Sequence, residues 1–288
     1  MQITILGGTG LVGQALHKRL STQHTVKVFG RSVFAQPSHL QQAIAGSDLI
    51  IQLAGANIGA RWNPVYKQEI WDSRIETTRM LGEALNGIAE KPRIFCASAI
   101  GFYPQSHACQ TPFSETHSQP GDDFLAQLSV AWEAEARKLV PPEQLVITRF
   151  GVVLSPLGGA LAKMLPAFKL GLGGPVAGGQ QCFSWIDIDD LTRAVAWLIQ
   201  QPQLHGVFNL TAPEPIAQKV FAKQLGEVLH RPAFLPLPLW QLKLLFGEGA
   251  QVLTHSASVA PTRLLELGFE FHYPNSKSSL KHLLNLPH

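Results

Sequence analysis

The chain has 288 residues, of which 45% are hydrophobic and only 15% charged, and its formal net charge is +3. This length and composition suit a globular protein with one large domain, or one domain and a smaller lobe. The absence of any lysine/arginine block argues against nucleic-acid binding, and the lack of an apolar run of about 18 residues argues against a transmembrane helix.

The beginning of the chain does not read as a secretory signal, because its apolar stretch Ile3-Thr4-Ile5-Leu6 is short and glycines follow at once. Three cysteines occur, Cys96, Cys109 and Cys182, with neither a C-x-x-C nor a zinc spacing. A sparse, odd set fits a reducing compartment, so the expected location is the cytoplasm. The eleven histidines are scattered, and no metal site is expected.

In chain order, residues 2–6 (QITIL) predict a buried strand, 11–21 a helix with Leu11, Ala15, Leu16 and Leu20 on one face, and 25–29 a second strand. Residues 49–53 (LIIQL) predict a third strand of parallel-sheet character. A long helix is expected over about 64–86, a strand at 93–97, a helix at 124–139 and a strand at 145–149. This alternation predicts an α/β fold with a doubly wound parallel sheet and right-handed crossovers. Residues 158–182 are glycine-rich and read as a loop or crossing segment over a ligand cleft. Beyond them a helix (189–201), a strand (206–211), a helix (216–230) and, after Pro232, Pro236 and Pro238, an apolar helix near 239–246 are expected. The expected organisation is a nucleotide-binding domain over 1–155, with later segments at about 183–212 interleaved, and a smaller α/β substrate lobe over 156–288.

Gly7-Gly8-Thr9-Gly10-Leu11-Val12-Gly13 follows the first strand and opens the first helix. In that context Gly7 permits a tight turn, Gly10 lets the backbone approach a diphosphate, and Gly13 lets helix and strand pack closely. The helix N-terminus then offers free N–H groups and a partial positive charge to the phosphates. The second strand ends in Phe29-Gly30-Arg31-Ser32. An acid there would bind the ribose 2′-hydroxyl of NAD. Here an arginine stands in its place, able to pair with a 2′-phosphate, which favours NADP.

These residues, together with Leu53-Ala54-Gly55, Ser73-Arg74-Ile75-Glu76-Thr77-Thr78, Arg149-Phe150-Gly151-Val152-Val153-Leu154, Leu170-Gly171-Leu172-Gly173-Gly174-Pro175, Trp185-Ile186-Asp187-Ile188-Asp189-Asp190 and Pro261-Thr262-Arg263-Leu264-Leu265-Glu266-Leu267-Gly268-Phe269, span nearly the whole chain. In this order they resemble the epimerase-like group of extended short-chain dehydrogenases/reductases. The resemblance implies an NADP-bound Rossmann-type fold with a smaller C-terminal substrate lobe. It implies further coenzyme contacts: Leu53, Ala54 and Gly55 on the adenosine side, Glu69 and Arg74 as polar contacts, and Val153 toward the nicotinamide. A small-molecule substrate is implied, and a homodimer is allowed.

Enzymes of that superfamily usually use Ser/Thr with a Tyr and a Lys four apart on a helix, the Tyr exchanging a proton with the substrate oxygen. Ser98 stands where the serine belongs, just after the strand at 93–97. The helix that should carry Tyr-x-x-x-Lys reads Phe124-Leu125-Ala126-Gln127-Leu128-Ser129-Val130-Ala131-Trp132-Glu133 and has neither residue. Tyr103, five residues after Ser98, is the remaining candidate proton donor, although no lysine is placed by sequence to lower its pKa. Asp187 stands where the family often has His. Two functions follow: an NADP(H)-dependent oxidoreductase with an incomplete catalytic motif, or a non-catalytic NADP(H)-binding regulatory or sensor protein. Nucleotide-sugar epimerisation is a third, weakened by its need for the same missing pair.

Overall fold

A computed structural model describes residues 1–106, 109 and 111–285. The chain runs β1 (Gln2–Leu6), α1 (Leu11–Leu20), β2 (Thr25–Phe29), α2 (Pro37–Ile44), β3 (Leu49–Gln52), α3 (Pro64–Leu85), β4 (Arg93–Ala99), α4 (Phe124–Ala136), β5 (Leu145–Phe150), β6 (Val152–Ser155) and α5 (Gly159–Lys169). It continues through β7 (Cys182–Phe183), β8 (Trp185–Asp187), α6 (Ile188–Ile199), β9 (Gly206–Leu210), β10 (Ile216–Ala217), α7 (Gln218–Leu229), α8 (Leu239–Phe246), α9 (Ala250–Thr254), α10 (Thr262–Glu266) and α11 (Ser276–Leu283).

Six strands form one parallel sheet in the order β2-β1-β3-β4-β5-β9. From β1 the chain first winds outward to β2 and then crosses to β3 on the other side. The switch point therefore lies between β1 and β3, and a crevice opens at the C-terminal ends of those strands. Both faces of the sheet are covered, which explains why β3 is buried at every position. Alternate residues serve opposite cores. Leu6, Ile50, Ile94, Cys96 and Ile147 pack with Trp132 and Leu81 on the face of α2, α3 and α4. Ile5, Ile51, Phe95 and Val146 pack with Leu16, Leu191 and Leu198 beneath α1 and α6. The C-terminal region has a third core, in which Leu161, Leu165 and Phe168 of α5 meet Phe221 and Leu225 of α7 and Leu280 of α11.

Caps fix the helices that frame the crevice. Asn63 accepts from the Tyr66 amide ahead of α3, with Pro64 supplying a preset φ at the first helical position. Asp123 accepts from the Ala126 amide at the start of α4, at 2.9 Å. Asp187 does the same for α6 through the Asp189 amide, at 2.8 Å.

The structure departs from the sequence expectation in more than one place. The glycine-rich stretch 158–182 is not all loop, since Gly159–Lys169 forms α5 despite Pro166 within it. Its apolar residues Leu161, Leu165 and Phe168 recur at helical spacing, and burial against α7 outweighs the weak local propensity. Cys109 and Cys182 are joined in a disulfide rather than standing as free thiols, while Cys96 is free and buried in the core, where its thiol pKa is pushed well up. No helix among the described residues is long and apolar enough to cross a membrane.

Candidate functional site

The turn after β1 is built by backbone contacts that exclude side chains. The amides of Gly7 and Gly8 both donate to the Phe29 carbonyl, at 2.9 and 3.0 Å, locking the turn to the end of β2. Gly7 has φ +80°, and a Cβ there would lie 2.6 Å from the Ala54 nitrogen. A Cβ on Gly13 would come within 2.7 Å of the Gly8 backbone, so α1 can approach β1 only with glycine at that position. Gly10 differs: the nearest protein atom to a Cβ there is the Gly7 carbonyl oxygen, at an ordinary 3.5 Å. No contact within the chain requires glycine at Gly10.

Gly10 is the N-cap of α1, yet no side chain caps the helix and no acid occupies its first turn. The first amides of α1 therefore face the crevice with their partial charge unopposed. Thr9 sits against Gly30, and its carbonyl accepts from Gln14. Leu11 and Val12 are half-buried at the helix start, with Leu11 against Gly158 and Gly159 of the β6–α5 turn. Val153 of β6, the short strand that follows β5 and pairs with β8, is half-buried in the same wall.

Beside the turn lies a cleft of about 530 Å³ whose lining includes Arg31, Phe34, Ala54, Gly55 and Glu69. Arg31 and Ser32 are exposed at the end of β2, and Leu53 is half-buried at the end of β3. Arg31 Nη1 donates to Glu69 Oε1 across the cleft, at 3.3 Å. Arg74 lies behind the cleft rather than in its mouth. Its guanidinium donates to the Ile70 and Ala56 carbonyls, at 3.0 and 3.1 Å, and lies 5.3 Å from the Trp132 ring. A Cβ on Gly55 would meet Arg74 Cζ at 2.9 Å, so Gly55 is the residue that lets this cation pass beneath the loop. Among the described residues Arg74 forms no ion pair; burial pulls its pKa down to about 10, opposed by Tyr66 and reinforced by the like charge of Arg31. The positive charge of Arg74, set close behind the cleft wall, favours anions in the cleft.

The two candidate catalytic hydroxyls are both buried and hydrogen-bonded within the protein. Ser98 is 2% exposed and donates to Glu133 Oε1 at 2.8 Å. Tyr103 is fully buried, stacked on Phe113, with its hydroxyl 2.8 Å from Asn209 Oδ1; burial raises its pKa. Strand alternation accounts for Ser98, since it shares the face of Ile94 and Cys96 and so points under α4.

α4 carries neither tyrosine nor lysine, and part of its surface is apolar. Phe124 meets Trp62 edge-on at 5.4 Å, and Leu128 is buried with Trp62, Ala56 and Ile70. Two polar groupings near this helix escaped the sequence reading. One is the buried set Ser98, Glu133 and Arg149. The other is Asp123 Oδ2 with His255 Nδ1 at 3.2 Å, joining α4 to the segment after α9. Their members lie 16 and 132 residues apart, and no periodicity links them. The most compact acidic group, Asp189, Asp190 and His272, is already engaged: Asp189 pairs with Arg19, while Asp190 accepts from Arg193 and from the amides of His272 and Tyr273.

A doubly wound sheet with a glycine turn at its switch point defines a dinucleotide-binding protein. The chain belongs to the NAD dependent epimerase/dehydratase family, which matches residues 3–211, and residues 237–283 match a domain of unknown function, DUF1731. It is 37% identical over 304 residues to "Epimerase family protein SDR39U1 homolog, chloroplastic" of Arabidopsis thaliana, covering 99% of this chain and 87% of that protein. It is 34% identical over 302 residues to "Epimerase family protein SAR0825" of Staphylococcus aureus, covering 99% of each. Its fold matches a crystal structure of the human epimerase family protein SDR39U1 (isoform 2) with NADPH, at 33% identity and a TM-score of 0.90 over 99% of both chains.

Proposed function

We propose that this chain is an NADP(H)-dependent oxidoreductase of the short-chain dehydrogenase/reductase type, moving a hydride between the coenzyme and a small carbonyl or alcohol. The observation that carries this reading is the uncapped N-terminus of α1, set beside a cleft with Arg31 at its mouth. That arrangement suits a diphosphate next to a 2′-phosphate. The NADPH in the human relative's crystals supports the same coenzyme.

When bound, the nicotinamide supplies the hydride chemistry. The chain's own residues do the rest. Thr9, Leu11 and Val12 would present backbone amides to the diphosphate at the start of α1, while Gly7 and Gly13 shape the turn and Gly10 leaves the approach clear. Gly30, Arg31 and Ser32 receive the 2′-phosphate, with Leu53, Ala54 and Gly55 along the adenosine. Val153 would border the nicotinamide end, and α4 offers neither tyrosine nor lysine for proton transfer. Ser98 and Tyr103 enter as positioning residues, because both hydroxyls are engaged in the interior.

A second reading, an NADP(H)-binding regulator without turnover, is favoured by the apolar face of α4. Incubation with NADPH and a panel of carbonyl compounds, followed through the absorbance of the reduced nicotinamide, separates the two: turnover supports the enzyme, and tight binding without turnover supports the regulator. In calorimetry Arg31→Ala weakens NADPH by roughly 1.5–3 kcal/mol, the worth of a charged hydrogen bond, and NADH far less. Equal weakening of both removes Arg31 from this role.

A further inference from the structure

Away from the coenzyme cleft, the C-terminal region carries a patch of uncovered apolar surface. Leu170 and Leu172 follow α5, Phe234 stands in the link between α7 and α8, and Trp240, Leu244 and Leu245 belong to α8; each is more than half exposed. The two links run side by side: the Leu235 amide donates to the Gly173 carbonyl at 3.1 Å, and the Leu237 amide to that of Pro175 at 2.9 Å. Pro236 and Pro238 fix φ in the second link, and α8 follows at once. Trp240 and Leu244, four apart, share the open face of α8, while Leu242 is buried on the other. Isolated apolar residues are ordinary on a protein surface, but a continuous set of this size marks an interaction site.

The border of the patch is basic. Over residues 169–172 and 223–248, Lys169, Lys223, Arg231 and Lys243 stand against only Glu227 and Glu248. Both acids are already paired with lysines: Glu227 with Lys277 at 3.2 Å and Lys223 at 3.9 Å, and Glu248 with Lys67 at 2.6 Å. Arg231 Nε donates to the Lys169 carbonyl at 3.0 Å, which holds its guanidinium beside the end of α5. Next to Phe234 lies a shallow cavity of about 510 Å³, lined by Lys223, His230 and Arg231 together with the paired Glu227. We propose that this patch is a peripheral docking surface for an anionic lipid bilayer: Phe234, Trp240, Leu244 and Leu245 enter the boundary between headgroups and acyl chains, and Lys169, Lys223, Arg231 and Lys243 meet the headgroup phosphates. Tryptophan and leucine beside lysine and arginine are the side chains that suit this boundary. A two-fold contact with a second copy would instead lay the same cations against one another, with both nearby acids already engaged. The proposal is independent of the coenzyme reading.

Co-sedimentation of the full chain with lipid vesicles tests this, using phosphatidylcholine alone and phosphatidylcholine mixed with phosphatidylglycerol. The unmodified protein is expected to bind the mixed vesicles at least about tenfold more tightly, and less so as salt is raised. Trp240→Ser/Leu244→Ser should weaken that binding at least about tenfold with an unchanged thermal midpoint, because both side chains are exposed. Lys223→Gln/Lys243→Gln should lose most of the preference for the mixed vesicles. Failure to bind the mixed vesicles, or equal binding to both kinds, overturns the proposal. So does binding that survives in Trp240→Ser/Leu244→Ser, which reduces the effect to a general attraction of positive charge. A dimer in sedimentation velocity that this variant dissociates assigns the patch to a second copy and overturns it as well.

Discussion

Glu133 of α4 receives both Nε and Nη2 of Arg149 of β5, at 2.7 and 2.9 Å, in an ion pair that is almost wholly buried. Ser98 donates to the same carboxylate, and Arg137 reaches it from the surface at 3.0 Å. Burial alone would raise the Glu133 pKa, but the Arg149 fork and the Ser98 hydroxyl outweigh it and hold the carboxyl below its ordinary value. Arg149 also lies over the Phe102 ring at 3.5 Å, so the pair binds α4, β4 and β5 together beneath the crevice.

Removing one member of this pair leaves the other charge buried and uncompensated. Glu133→Gln is therefore expected to lower unfolding free energy by about 3–5 kcal/mol in urea denaturation, and the double variant Glu133→Leu/Arg149→Met by clearly less. A single substitution costing under about 1 kcal/mol contradicts the assigned role.

Asp187 is 1% exposed, caps α6 and accepts from Ser279 Oγ of α11 at 2.7 Å. Burial raises its pKa from 3.8 to about 7, with the charges of Asp190 and Asp189 adding to the effect and the two hydrogen bonds opposing it. Between those values the folded chain holds a proton that the unfolded chain has released. The contribution is therefore full below about pH 4 and is lost as pH rises toward 7. Asp187→Asn keeps the cap and removes the titration. Denaturation at a series of pH values should show the unmodified protein losing on the order of 2–4 kcal/mol relative to the variant across that window. Parallel stability curves for the two proteins refute the assignment.

The Cys109–Cys182 bond closes a loop of 73 residues and ties the segment after β4 to β7. Chain-entropy reasoning gives such a closure about 4 kcal/mol. Cys109→Ser is expected to lower the thermal midpoint under oxidising conditions and to leave it unchanged when both proteins are kept reduced. A free-thiol count of three in the unfolded, untreated protein rules the bond out.

The nucleotide-binding half was legible because its signals are local. Buried parallel strands show as short β-branched runs, and Gly7, Gly10 and Gly13 stand at the strand–helix junction that gives them meaning. The helix α2 went unread because Pro37–Ile44 buries only Leu40, Ala43 and Ile44, too few for a clear period. The pairing of Cys109 with Cys182, and the meetings of Glu133 with Arg149 and of Asp123 with His255, depend on how distant segments pack, which no spacing encodes. Ser98 was found at its expected place in the chain, but whether its side chain faced crevice or interior depended on the strand's register under α4.

The glycines of the turn separate fold from function. Gly13→Ala forces a Cβ into the Gly8 backbone and should destabilise the protein by several kcal/mol, on the scale of an overpacked core. Gly10 has room for a methyl group and a backbone that any residue adopts, so Gly10→Ala should fold normally. The central claim is that a diphosphate lies against this turn, and NADPH calorimetry on Gly10→Ala tests it most directly. The account predicts an unchanged thermal midpoint with at least about tenfold weaker NADPH binding, since a methyl group there stands where the phosphates must approach. A variant that binds NADPH as tightly as the unmodified protein contradicts it.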